Sequence, residues 1–135
     1  MSVRIRYKIE ASVSSTSAEE KDLGNVSYEV VNDDSGEGGV RKTLLAAGAT
    51  DVSVMMTEIS AARFVLIKTN AHDPTETLGA ITVKKNVIGG EPMTIEPLPG
   101  AKSAHLLMST TGITDLLASN GGTVDVDIVV MAVGD

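Results

Sequence analysis

The chain has 135 residues and a net charge of −7; hydrophobic residues make up 42% of it, aromatics 2%, and cysteine is absent. That excludes disulfides and thiolate metal centres, and it argues against nucleic acid, whose backbone calls for a basic surface and whose bases stack on aromatics. With only Tyr7, Tyr28 and Phe64 as aromatics, a typical aromatic-lined ligand pocket is also disfavoured, and the core must be aliphatic. The length suits one domain, residues 1–135, large enough to bury a core without staples. The lack of cysteine fits a cytoplasmic origin. No apolar run approaches the ~20 residues of a membrane span, and the charged alternation of M-S-V-R-I-R-Y-K-I-E lacks the apolar stretch of a secretory signal.

In chain order, Val3, Ile5, Tyr7, Ile9, Ala11 and Val13 alternate with Arg4, Arg6, Lys8, Glu10 and Ser12. This period of two predicts a half-buried strand. Its polar face holds three cations, Arg4, Arg6 and Lys8. They read either as a solvated edge that blocks unwanted pairing or as a docking edge for an acidic surface. Ser14 to Gly24 is polar and predicts a loop, with room for one helical turn capped by Ser17 and Glu20. Asn25 to Val31 resumes strand character.

Asn32 to Gly39 has turn chemistry. It fits neither the ligand spacing of an EF-hand nor the Gly-Lys-Ser/Thr ending of a phosphate loop, though a metal ion at Asp33 and Asp34 stays open. Val40 to Ala47 suits a strand or a short helix. Asp51 to Ile59, with Val52, Val54 and Met56 on one parity, predicts a strand. Phe64 to Ile67 is apolar on both parities and predicts a strand buried on both faces.

Thr69 to Thr77 is a loop and Ala80 to Val87 a strand, with Ile81 and Val83 inward. A short strand follows over Pro92 to Glu96. Pro97-Leu98-Pro99-Gly100 then forms a rigid corner, because proline fixes φ and removes a donor. Ala104 to Met108 predicts another short strand, and Thr110 to Asn120 suits a helical turn or an irregular strand. In the final strand, Gly121 to Gly134, Val124, Val126, Ile128, Val130 and Ala132 share one apolar face. The other face begins with Asp125 and Asp127 and ends with Val129, Met131 and Val133, so something covers its second half on both sides. It reads as a central strand.

Eight to ten short strands separated by Gly, Pro, Asn and Asp point to an all-β sandwich or barrel. Catalytic chemistry finds no footing. His72 and His105 are the two histidines, and the neighbours His72 and Asp73 cannot form a nucleophile relay, which needs separate elements. No serine sits in a nucleophile elbow, and no metal-ligand spacing occurs. Asp125 and Asp127 could pair as carboxylates or simply solubilise a strand start. The expectation is a non-enzyme without cofactor, metal or catalytic residues. Its contact surfaces are expected at Arg4, Arg6 and Lys8 of the first strand and at Val129, Met131 and Val133 of the last.

The run I-T-V-K-K-N-V-I-G-G-E-P-M-T-I-E-P-L-P-G-A, followed by G-I-T-D-L-L-A-S-N-G-G-T-V-D-V-D-I-V-V-M-A, resembles small jelly-roll structural proteins of tailed bacteriophage particles. The likeness lies in a strand leading to a Pro-Leu-Pro-Gly corner and a Gly-rich turn feeding an alternating strand, and it covers residues 80 to 134. It implies an antiparallel, jelly-roll-like β-sandwich. It further implies a capsid cementing or decoration protein, made in the host cytoplasm and carried on the outside of the virion. Such a protein bridges major capsid protein subunits and associates with itself as a dimer or trimer, without nucleic acid or membrane. Two other readings are a phage tail, neck or fibre module and, from another class, a carbohydrate-binding sandwich. The second would call for more exposed aromatics.

Overall fold

The computed structural model describes the backbone of residues 3–14, 20–32 and 37–134, and side chains within 38–108 and 112–134. The fold is all-β. Among the described residues ten strands follow one another: β1 (Val3–Ser14), β2 (Glu20–Asn32), β3 (Glu37–Leu45), β4 (Val52–Ser53), β5 (Ala62–Ala71), β6 (Ile81–Lys85), β7 (Met93–Ile95), β8 (Ser103–Ile113), β9 (Leu116–Ser119) and β10 (Val126–Gly134). β1 and β2 pair as a two-stranded antiparallel sheet, and β1 meets β3 and β10.

The other eight strands make two four-stranded antiparallel sheets, in the orders β3-β10-β5-β8 and β4-β9-β6-β7. The chain passes back and forth between the sheets, and the first and last strands of the eight lie side by side. This is the jelly-roll arrangement, two Greek keys folded into a sandwich.

Alternation explains the layers. On β10, Val126, Ile128, Val130 and Ala132 are fully buried. They face Ile81, Val83 and Ala118 of the opposite sheet, with Leu45, Val65, Ile67 and Ile113 completing the core. Each valine, leucine or isoleucine among them contributes about 1.5–3 kcal/mol by leaving water. β10 lies between β3 and β5, in the register Met131↔Val40 and Met131↔Leu66. It is therefore a central strand. β5 is buried at Phe64, Val65 and Ile67, while Leu66 is half-buried.

Several boundaries differ from the sequence reading. Within Asp51 to Ile59 only Val52 and Ser53 join a ladder. Val54, Met55, Met56 and Ile59 are buried as an irregular crossing from one sheet to the other. Val40 to Ala47 is strand as far as Leu45 and then turns, and Leu116 to Ser119 is the strand β9, with no helical turn. β8 runs on to Ile113 through Gly112, whose φ of 77° is open to glycine at little cost. β10 begins at Val126, so Asp125 stands before the strand rather than on it.

Glu20 to Gly24, expected in a loop, belongs to β2 and pairs with β1 through Ser14↔Glu20 and Ser12↔Asp22. Ser17 lies outside the described residues. Asp33 and Asp34 also lie outside them.

At Gly134 a side chain has no room. A Cβ there would collide with the Ala61 carbonyl oxygen, where the pairing of β10 with β5 shifts register.

Candidate functional site: the outer face of the β3-β10-β5-β8 sheet

Strand register builds the outward face of this sheet row by row. One row is Gly38, Val133, Phe64 and Ser109. The next is Val40, Met131, Leu66 and Leu107. A third is Lys42, Val129, Lys68 and His105. The fourth is Leu44, Asp127, Asn70 and Ser103.

The first row is closed from within the chain. Phe64 is 2% exposed and Val133 1%, and with the partly buried Leu66 and Met131 they form a small second core outside the sandwich. Val133 is therefore an internal packing residue rather than an open contact position. The second row is apolar across all four strands and ends in the exposed Val40 and Leu107. Val129 and Met131 are half-buried on this face. The third row carries two cations, Lys42 and Lys68, and all three of Lys42, Lys68 and His105 are exposed.

Asp127 anchors the cationic end. Its carboxylate accepts from His72 Nδ1 at 3.0 Å and lies 3.3 Å from Lys42 Nζ. Burial pushes the Asp127 carboxyl up, but the His72 hydrogen bond and the nearby Lys42 outweigh it, and the net shift is below the usual carboxylate value. Asp125 is engaged elsewhere: its side chain accepts from the Ala47 amide at 2.9 Å, and its carbonyl accepts from the His72 amide. The two aspartates do not form a carboxylate pair. Asp73 accepts from the Thr75 amide and hydroxyl, a local turn that holds its carboxyl below the ordinary value.

The opposite sheet has a different exterior. Thr82, Thr94, Ser119, Lys84 and Ser53 lie on the parity opposite the buried Ile81, Val83 and Ala118. Lys84 reaches Asp51 at 3.1 Å. That surface is polar, apart from the well-buried Leu117.

Asparagines brace the two ends of the sandwich. Asn120, 1% exposed, donates to the carbonyls of Leu45 and Val124 and accepts from the Gly122 amide. It thereby ties β3 to the loop before β10. Asn86 has φ of 66°, a left-handed conformation that asparagine tolerates better than most residues. It donates to the Gly112 carbonyl and accepts from the Thr114 amide, joining the β6–β7 and β8–β9 turns.

Of the residues expected to make contacts, Arg4, Arg6 and Lys8 fall on β1, opposite Val31, Glu29 and Ser27 of β2; their side chains lie outside the described residues. They are not on the same sheet as Val129 and Met131. The sequence reading missed Val40, Leu66 and Leu107, which only the register brings beside Met131. It also missed the link from His72 to Asp127, 55 positions apart. Among the described residues no group of three or more His, Cys, Asp or Glu could hold a metal ion, and no helix is long and apolar enough to cross a membrane. No family model, no curated protein and no solved structure matches the chain.

Proposed function

We propose that the chain is a structural protein of a tailed-phage particle, of the cementing or decoration type. It would bind the outside of the capsid and bridge major capsid subunits through broad surface contact rather than through catalysis. The observation that carries this reading is the apolar row Val40, Met131, Leu66 and Leu107, which crosses all four strands beside the cations Lys42 and Lys68. A row of this kind suits a protein partner with an apolar strip flanked by acidic groups. The row is half-buried at Met131 and Leu66 and exposed at its ends, Val40 and Leu107, and apolar surface grouped in this way marks an interaction site more often than scattered exposure does.

The resemblance of residues 80 to 134 to phage jelly-roll proteins supplies the partner class. A protein that binds only the assembled shell stabilises it by mass action, since a ligand favours the state it binds. Quantitative mass spectrometry of purified particles tests the reading. Copies in a simple whole-number ratio to the major shell protein support cementing. A few copies per particle would move the protein to the tail or neck, and none would remove it from the particle.

A further inference from the structure

A strand at the rim of a sheet exposes unpaired N–H and C=O groups, and folded proteins blunt such edges with short strands, prolines or charges. The sandwich has four rims: β3 and β8 in one sheet, β4 and β7 in the other. β4 is two residues long. β7 is three residues long and is flanked by Pro92 and Pro97. β3 carries Arg41 and Lys42 at its middle.

β8 lacks the shortness, prolines and charges of the other rims, and its ladder with β5 is regular from Ser103 to Ser109, slipping register only beyond Ser109. It is 11 residues long, and from Ser103 to Thr111 it contains no proline, glycine, lysine, arginine, aspartate or glutamate. Its outward Leu107 is 37% exposed. Its inward Leu106, opposite Ile67, is only partly buried, although Ala104 and Met108 on either side are buried. The flank along β8 is therefore open both at its ladder groups and at an apolar side chain that points toward the core.

We propose that β8 pairs antiparallel with β8 of a second copy about a two-fold axis at Leu107, joining two four-stranded sheets into one continuous sheet. The occupant follows from self-complementarity, which an isologous two-fold contact demands. With Leu107 opposite its own copy, Leu106 faces Met108 and His105 faces Ser109. No two like charges meet, and like charges directly opposite would be destabilising. Two chains of net charge −7 repel, so they need a seam without carboxylates, and β8 has none. The same operation on β3 about its midpoint would set Arg41 against Arg41. At β8 it also carries the row Val40, Met131, Leu66 and Leu107 across the axis into its copy. The inference stands on the strand edges and not on the reading of a capsid partner.

Light scattering on the eluting full chain at micromolar concentration tests it. The wild type is expected at twice the chain mass, and Leu107→Lys, with its side chain on the outer face, at the single-chain mass with dimerisation weakened at least tenfold. Since the sequence has no cysteine, Leu107→Cys introduces one thiol per chain. Directly opposed residues of an antiparallel pair have Cα atoms about 4.5–5.5 Å apart, within disulfide reach. Mild oxidation should therefore link Leu107→Cys into a covalent dimer and leave Val40→Cys, at the far side of the sheet, unlinked. A wild-type monomer or trimer would overturn the proposal, and so would equal linking of the two cysteine variants. The cysteine pair decides the matter even where Leu107→Lys does not fold.

Discussion

The two sheets of the sandwich share one core and present opposite exteriors. Outside β4-β9-β6-β7, threonine, serine and a lysine bonded to Asp51 leave a surface that water solvates well. Outside β3-β10-β5-β8, Phe64 and Val133 are as buried as core residues, and an open apolar row lies beside them. A sheet face that only met water would gain nothing from that arrangement. The contrast teaches that alternation along a strand reports how many of its faces are covered, and that β10, apolar on both parities toward its end, serves two interiors.

The sharpest way to break the contrast is Phe64→Ala. Phe64 points away from the main core, yet its loss should cost about 3–5 kcal/mol, as for a core aromatic. Thr82→Ala on the other exterior should change stability by less than about 0.5 kcal/mol. Urea unfolding of the two variants measures both, and equal small effects would mean that Phe64 supports no second core.

Next in size is Asn120→Ala, which touches neither exterior. It leaves the carbonyls of Leu45 and Val124 and the amide of Gly122 without their side-chain partner, for about 2–4 kcal/mol. Thermal unfolding should show the loss while affinity for the proposed shell partner, measured well below the melting point, stays unchanged.

Val40→Lys probes the apolar row directly. Val40 is 60% exposed, so stability should hold within about 0.5 kcal/mol. Under the proposed capsid reading, binding to purified shells should weaken about tenfold, near 1.4 kcal/mol. The same charge placed by Thr94→Lys on the polar exterior should leave binding intact. Equal losses from the two would remove the distinction between the faces.

The smallest effect concerns acid. The Asp127 carboxyl is depressed in the folded chain, so its contribution to stability is full above the ordinary carboxylate value and is lost as pH falls through the folded value. Asp127→Asn should therefore flatten the acid limb of the stability profile and lower stability slightly at neutral pH. An unchanged acid limb would mean that His72 and Lys42 hold the carboxylate too loosely to matter.

Most of the sandwich was legible because its strands are amphipathic with period two. β10 and β6 announced which side chains turn inward, and β5 announced its double burial. Val54 to Ile59 misled, since a crossing between two sheets buries apolar residues as thoroughly as a ladder does, yet past the Val54 amide, which donates to the Leu116 carbonyl, it forms no strand. Glu20 to Gly24 misled in the other direction: the β1 ladder supplies its order, and no local alternation advertises it. The apolar row was half legible. Met131 and Val129 stand on one strand and could be read from it. Val40, Leu66 and Leu107 join them only through pairings of distant segments, which a local pattern does not encode. The tie from His72 to Asp127 is hidden for the same reason.

The order β3-β10-β5-β8 has a kinetic consequence. No two neighbours in that sheet follow one another along the chain, and across both sheets only β6 and β7 pair as a local hairpin. Every other ladder of these two sheets must therefore close a long loop before its hydrogen bonds repay the lost entropy, a topology that folds in milliseconds to seconds rather than microseconds. During that interval the strands that later share β10 have no neighbour between them. The slow step of refolding should thus be the insertion of β10 between β3 and β5, the event that creates both the core and the outward row at once.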